Sequence, residues 1–368
     1  MKILITGANG FIGKNLLFHL KNNNNLKIST IKKKINSKLL EKKVISSDII
    51  FHLAGVNRGN LKNYFNKNNY ILTKKICEIL IKKKKKTKII FSSSIQFNKK
   101  NYYGLSKKKA EKILLSYKKK TGAEVLIYRL PNVFGKWSKP HYNSAVATFC
   151  SQVYENQKLT ISDPDKKISL LYIDNLILSF LENIKSNKLK NSFANIKNIF
   201  SITLFNLASL IKSFKKKENI YLPNNISDPI VKNLYSTYIS FFSKKDFTYK
   251  LRQFSDHRGT FSEFLKNTNF GQISFFSILP KKIRGNHYHN SKIEKFVVIS
   301  GKARFNFVNI INKKRFSIST NENKNLVINT VPGWAHNIEN TGSQTAKVLV
   351  WSNEILDKKN PDTFFYKV

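Results

Sequence analysis

Within thirteen residues the chain passes from an apolar strand, Ile3-Leu4-Ile5, through three glycines spaced three apart, Gly7, Gly10 and Gly13, into a helical pattern with Ile12, Leu16, Leu17 and Leu20 on one face. Few folds ask for that combination. Glycine permits a tight turn and close approach of backbone to a pyrophosphate, which then rests on the positive end of the helix. Gly7, Asn9, Gly10, Phe11, Ile12 and Gly13 are therefore the candidate cradle. Further apolar runs at 26–31, 49–53, 89–91 and 125–130 follow, and 106–120 carries Ala110, Ile113, Leu114 and Tyr117 at helical spacing. This alternation predicts an α/β Rossmann-type doubly wound parallel sheet.

Beyond Asp246 the texture changes to short β-rich runs at 272–278, 295–299, 304–311, 326–331 and 346–351, separated by Gly and Asn turns. An all-β jelly roll is expected there. A chain of 368 residues exceeds the size at which one core stops growing, so two domains are assigned, 1–246 and 247–368. The stretch 215–245 bridges them, and its Leu234-Tyr235-Ser236-Thr237-Tyr238 reads as a packed helix.

The net charge of +45 raises the possibility of nucleic-acid binding. The excess is nevertheless spread over both parts, with 47 basic against 13 acidic residues up to Asp246 and 19 against 8 beyond it. Only seven of the basic residues are Arg, whose planar fork is the usual reader of phosphates and base edges, so no specific nucleic-acid partner is expected. Cys77 and Cys150 are too few for a disulfide framework. With no signal-like start and no apolar run near the roughly 20 residues of a membrane span, a cytoplasmic protein without membrane association is expected.

The second strand runs into Lys32-Lys33-Lys34 without an Asp or Glu to hydrogen-bond an NAD ribose. Lysines there suit the 2′-phosphate of NADPH (NADP), with Lys32 the candidate; the alternative is that they reflect a lysine-rich composition. Three more segments follow in order: His52-Leu53-Ala54-Gly55, Phe91-Ser92-Ser93-Ser94 and Tyr103-Gly104-Leu105-Ser106-Lys107. Tyr103 and Lys107 fall one helical turn apart, so an ammonium beside the phenol would lower its pKa toward the working pH. Ser94, with Ser93 as the alternative, would hydrogen-bond the same substrate oxygen as Tyr103.

Together these segments resemble the extended short-chain dehydrogenase/reductases. The resemblance places Leu53, Ala54, Tyr103 and Lys107 against the cofactor, and extends to Arg129-Leu130-Pro131-Asn132-Val133-Phe134-Gly135 and Tyr172-Ile173-Asp174. It implies that Asn132, together with Asn57 and Arg58, contacts a nucleotide-sugar. Dehydratases of this type carry Asp-Glu after the catalytic hydroxyl; here Ile95-Gln96 stand instead, which favours simple carbonyl reduction.

In the second part, His287, His289, Glu294 and Gly301 match the first cupin motif and His336 the second. His287, His289, Glu294 and His336 make a three-nitrogen, one-oxygen set suited to a divalent ion such as zinc. Asp256-His257-Arg258-Gly259 and Arg284-Gly285-Asn286-His287 also resemble metal-independent deoxyhexose epimerases, in which the histidine at His287 is the base. His287 is thus a ligand or a base. If it is a ligand, the base comes from elsewhere, with His257, Glu263, Tyr288 and the nearby lysines as candidates; Arg258 and Lys281 are candidate substrate contacts.

Across essentially its whole length the chain resembles the bifunctional capsular-polysaccharide enzymes on the route to UDP-N-acetyl-L-fucosamine. That resemblance implies C3 epimerisation of a UDP-linked 4-keto-6-deoxy-N-acetylhexosamine by the cupin, C4 reduction with NADPH by the first domain, and a homodimer. The rival reading is a reductase whose metal-binding cupin is not catalytic.

Overall fold

The computed structural model describes residues 1–21, 24–31, 35–59, 61–185, 191–215, 219–357 and 359–368. Two compact units emerge: Met1–Lys212 with Lys232–Phe242, and Ser213–Val231 with Ser243–Val368. The chain thus passes between units more than once, where a single division at 246/247 was expected. Helix Pro229–Ile239 carries Leu234, Thr237 and Tyr238 buried, so that part of the bridge is packed as its pattern indicated.

The first unit is built on parallel strands β1 (Lys2–Thr6), β2 (Lys27–Ile31), β3 (Ile49–His52), β4 (Lys88–Ser94) and β5 (Val125–Leu130), in the order β2-β1-β3-β4-β5. Alternate residues of a strand face opposite ways, so both faces must be covered. Ile3, Ile5 and Phe51 pack with Leu16 and Leu20 of helix α1 (Phe11–Lys21) and with Leu176 and Phe180. Leu4, Ile50 and Phe91 pack on the other face with Ile76 and Leu80 of α2 (Leu72–Lys82) and Ala110, Leu114 and Tyr117 of α3 (Tyr102–Thr121). Strand order reverses between β1 and β3, which is where such sheets open a crevice at their carboxyl ends.

The second unit has two antiparallel sheets. One contains β6 (Gly259–Asn267), β7 (Gly271–Ile278), β8 (Glu294–Ser300) and β9 (Ala346–Ser352); the other contains β10 (Ile283–Tyr288), β11 (Lys302–Asn309), β12 (Trp334–Asn340) and the short β13 (Phe364–Phe365). Phe276, Phe296 and Val348 of the first sheet meet Phe305, Phe307 and Ile338 of the second in a buried apolar core. The Rossmann-type parallel sheet followed by an all-β two-sheet unit is the expected fold.

Candidate active sites

The switch-point crevice is a cavity of about 480 Å³ lined by Gly7, Asn9, Gly10, Phe11, Ile12, Gly13, Leu53 and Asn57 on one side and by Ser94, Tyr103, Lys107, Asn132, Trp137 and Tyr142 on the other. Its glycines have separate reasons. Gly7 is at φ +73°, and a Cβ there would stand 2.7 Å from the Ala54 backbone; a Cβ at Gly13 would stand 2.2 Å from the Gly7 carbonyl oxygen. The turn is closed by the Gly10 amide donating to that oxygen at 2.9 Å. Any side chain at Gly7 or Gly13 would push β1, α1 and the 53–55 loop apart, so the residues fit a dinucleotide that needs the backbone close.

His52 lies beneath this turn rather than in it. Its Nδ1 is 2.7 Å from Thr6 Oγ1 and its Nε2 is 2.8 Å from Thr73 Oγ1. Burial, and then the charge of Lys107, lower its pKa to about 3, so it is a neutral spacer holding Thr6, whose hydroxyl accepts from the Ala54 amide at 3.1 Å.

Tyr103 reaches the cavity wall because Asn101 caps α3, accepting from the Gly104 amide at 2.7 Å. Gly104 then lets the first turn of α3 lie on the preceding loop: a Cβ would come within 2.3 Å of the Gln96 carbonyl oxygen. Ser94, at the end of β4, hydrogen-bonds the Tyr103 phenol. One turn on, Lys107 donates to the Ser92 carbonyl at 2.7 Å and lies over the Phe91 ring. Burial pushes the Tyr103 phenol above its ordinary value, with the Ser94 hydrogen bond offsetting part of the rise. Burial likewise brings Lys107 down to about 8, against the nearby Glu111. Where a lowering by Lys107 was expected, the direction is a rise, with burial its largest cause. Ser93 is directed away, donating to Glu111 Oε1 at 2.5 Å, so Ser94 is the serine aligned with Tyr103.

Asn69 was not singled out by its sequence surroundings. It sits on a π-helical turn, Asn66–Ile71, and is 1% exposed; its amide holds both the N–H and the C=O of Val56, at 2.7 and 2.9 Å, and donates to Ser106 at 3.0 Å. A π turn displaces side chains off the regular helical face, which hides such a residue from pattern reading. Arg58 does not line the cavity; its Nη1 donates to the His141 and Tyr142 carbonyls, each at 2.9 Å, and so holds the loop that does. Asn132 lines the wall with its amide tied to the Ser169 carbonyl at 3.1 Å. Lys32 lies outside the described residues.

In the second unit, donor atoms of His287, His289, Glu294 and His336 all lie within 4.8 Å of one another. His289 Nδ1 donates to the Asp362 carbonyl, which can only accept, and this turns Nε2 toward Glu294 Oε2 at 3.2 Å. His336 Nε2 is 3.4 Å from the same oxygen, and its buried Nδ1 has no partner. Burial holds His287 neutral, with a pKa of about 3, while Glu294 is held well below the usual carboxylate range, its burial outweighed by contacts with His289 and His336. Three imidazoles and a carboxylate with their donor atoms this close together are a set that a divalent ion binds, so the cluster fits one.

The remaining candidates are not among these four clustered donors. His257 is exposed beside Arg258, whose Nη2 is paired with Asp256 at 2.6 Å. Lys281 stands on the turn before β10, at φ +60°, with its amide donating to the Asn340 carbonyl at 3.2 Å. Glu263 is paired with Lys266 at 2.8 Å. Lys266 itself lies in one cross-strand row with Gln272, Ser352 and Glu294, which places the pair on the same sheet face as that ligand.

A parallel sheet with a glycine-lined crevice at its switch point and Ser-Tyr-Lys on the facing wall defines a nicotinamide-dependent short-chain oxidoreductase, here followed by a two-sheet β unit. Residues 3–194 match the NAD dependent epimerase/dehydratase family and residues 254–364 the polysaccharide biosynthesis C-terminal domain. The chain belongs to the NAD dependent epimerase/dehydratase family, in the branch that joins it to that C-terminal domain. It is 40% identical, over 99% of its length and 98% of the relative's, to a UDP-2-acetamido-2,6-beta-L-arabino-hexul-4-ose reductase of Pseudomonas aeruginosa. Among solved structures it resembles the capsular polysaccharide assembling protein CapF of Staphylococcus aureus, with TM-score 0.91, 36% identity and 100% of both chains covered. A UDP-glucuronic acid 4-epimerase of Bacillus cereus in complex with NAD, at 22% identity, TM-score 0.56, 65% of this chain and 98% of that one, shares the fold. Among the described residues, no helix is long and apolar enough to cross a membrane.

Proposed function

We propose that this chain is a bifunctional nucleotide-sugar enzyme of capsular-polysaccharide synthesis. Its first domain, 1–246, reduces the C4 ketone of a UDP-2-acetamido-2,6-dideoxy-4-hexulose with NADPH, and its cupin, 247–368, epimerises C3 of the same sugar. The observation that carries the reading is the meeting of Ser94, Tyr103 and Lys107 on one wall of the glycine-lined cavity. The substrate class follows from the relative named a UDP-hexulose reductase, which this chain matches nearly end to end.

Bound in that cavity, NADPH supplies the hydride. Tyr103, kept protonated by burial, is suited to donate its proton to the ketone oxygen, and Ser94 hydrogen-bonds the same oxygen. Lys107, braced by the Ser92 carbonyl, places positive charge near the phenolate that results. Absence of an acidic residue at Thr30 and Ile31, where β2 ends, supports NADPH over NADH.

A C3 hydrogen beside a C4 ketone is acidic because its loss gives an enolate, and reprotonation from the other face inverts the centre. His287, His289, Glu294 and His336 would hold a divalent ion, zinc by donor type, whose charge would stabilise such an enolate. With His287 among the ligands, the base is assigned to Glu263 or His257, with Tyr288 and the nearby lysines as alternatives, and Arg258 and Lys281 are assigned to the substrate. A cytoplasmic homodimer completes the reading.

NADPH oxidation with the UDP-4-keto-6-deoxy-N-acetylhexosamine tests it, alongside Tyr103→Phe and solvent deuterium incorporation at C3. Oxidation abolished in Tyr103→Phe, with deuterium at C3 in the wild type, is the expected result. No oxidation refutes the substrate. Oxidation without deuterium leaves the second reading, a reductase with a non-catalytic metal-binding cupin, which the Glu263–Lys266 pairing and the exposure of His257 favour.

A further inference from the structure

We propose that the segment Asp362–Val368 is a positioning element of the His-Glu cluster, with the Asp362 carbonyl deciding which nitrogen of His289 faces the other ligands. The proposal rests on the metal reading of that cluster. Neither histidine motif contains this segment, which is 73 residues from His289.

Three sets of contacts carry it. The Asp362 carboxylate accepts from the backbone amides of Asn290, Ser291 and Lys292 at 2.9, 2.7 and 2.8 Å and from the Ser291 hydroxyl at 2.9 Å, which pins the segment to the turn between His289 and Glu294. Thus fixed, its peptide carbonyl receives His289 Nδ1–H. Strand β13 then adds to β10 with Phe365 opposite His287 and Phe364 opposite Tyr288, while the Tyr366 amide donates to the Asn286 carbonyl at 2.9 Å. One short segment therefore holds the backbone at His287 and the ring at His289.

An imidazole that loses its carbonyl partner divides between two tautomers and rotates, and only one tautomer offers Nε2 to the cluster. Partners of this kind are worth about 10- to 100-fold in metal affinity. The geometry assigns that role here to a residue whose own side chain touches no ligand ring: Asp362 acts by where it puts its backbone.

Zinc affinity of the full chain, stripped of metal and titrated against a chromophoric chelator, tests the assignment. Asp362→Ala is expected to weaken zinc binding about 10- to 100-fold, and Asp362→Asn, which turns an amide NH₂ toward backbone donors, by a smaller factor. Phe365→Ala, at a side chain 81% exposed, is expected to stay within about twofold, a change too small to reflect a lost partner. Cobalt(II) spectra of the same proteins report the ligand field directly and are expected to change in the Asp362 variants alone. Wild-type affinity in both Asp362 variants overturns the inference while leaving the metal reading intact; no stoichiometric zinc binding by the wild type overturns both. If Asp362→Ala lacks cooperative unfolding, Asp362→Asn decides: unchanged affinity and spectrum overturn the inference.

Discussion

Ser93 donates to Glu111 Oε1 at 2.5 Å, and Arg129 grips the same carboxylate through Nε at 3.2 Å and Nη2 at 2.8 Å. Glu111 is 3% exposed, so these bonds satisfy a buried charge, and Arg129 is further sandwiched by the rings of Phe97 and Phe193. Two adjacent serines thus have different work. Ser94→Ala is expected to lower the kcat of ketone reduction about 100-fold or more, as loss of a donor to a developing oxyanion does. Ser93→Ala is expected to keep kcat within a few-fold while costing about 1.5–3 kcal/mol of stability, since a hydrogen bond to a buried charge is lost. Steady-state kinetics and denaturant unfolding of the two variants check the division.

The proposed reduction needs the proton on Tyr103 and positive charge on Lys107. Burial raises the first group, and it brings the second down to about 8. Below pH 8 both are in the required form, so kcat/KM for reduction should be level through neutrality and fall as pH rises through about 8. Lys107→Met should lower activity and lose that limb. A pH–rate profile still level at pH 9 in the wild type would contradict the role given to Lys107.

For His52 the sign runs the other way. Its folded pKa of about 3 lies below the ordinary value of 6.5, so the unfolded chain binds a proton that the folded chain refuses throughout that window. Stability from this group is complete above pH 6.5 and is lost progressively as pH falls toward 3. Thermal unfolding of the first unit should show this acid-side decline. In His52→Asn the decline should be shallower, at a cost of about 1–3 kcal/mol at neutral pH if Thr6 or Thr73 is left unpaired.

How much of this was legible in the sequence depends on how locally each feature is encoded. Gly7, Gly10 and Gly13, the Tyr103–Lys107 spacing and the His287/His289/Glu294 run each sit within a single turn or strand, where periodicity fixes the geometry. Ser94 was the sequence choice, but what occupies the alternative, Ser93, is the Glu111 carboxylate, 18 residues away on another element. Asn69 is one asparagine in an asparagine-rich stretch, distinguished only by the π turn beneath it. Asp362 is marked by no motif, because its partners are backbone amides some seventy residues away, 70–72 in the chain. Ser213–Val231 escaped for a related reason: Lys266 bonds the backbone of Ile220 and Leu222, a pairing that composition does not announce.

Arg58 provides the last test, because the resemblance gave it to the substrate whereas its Nη1 is spent on the His141 and Tyr142 carbonyls. Those carbonyls belong to the loop leading to Ser144, which caps the next helix and lines the cavity with Tyr142 and Asn143. His141 stands at φ +55°, so the loop holds a conformation that L residues adopt reluctantly. Net hydrogen bonds of this kind contribute about 0.5–1.5 kcal/mol each. Losing both should therefore raise KM for the nucleotide-sugar by about ten-fold in Arg58→Ala, with kcat changed far less and KM for NADPH unmoved, since the glycine turn is on the other side of the cavity. Arg58→Lys keeps the charge but not the planar fork, and is expected to recover only part of the loss. A full recovery by lysine would instead point to a charge acting directly on the substrate.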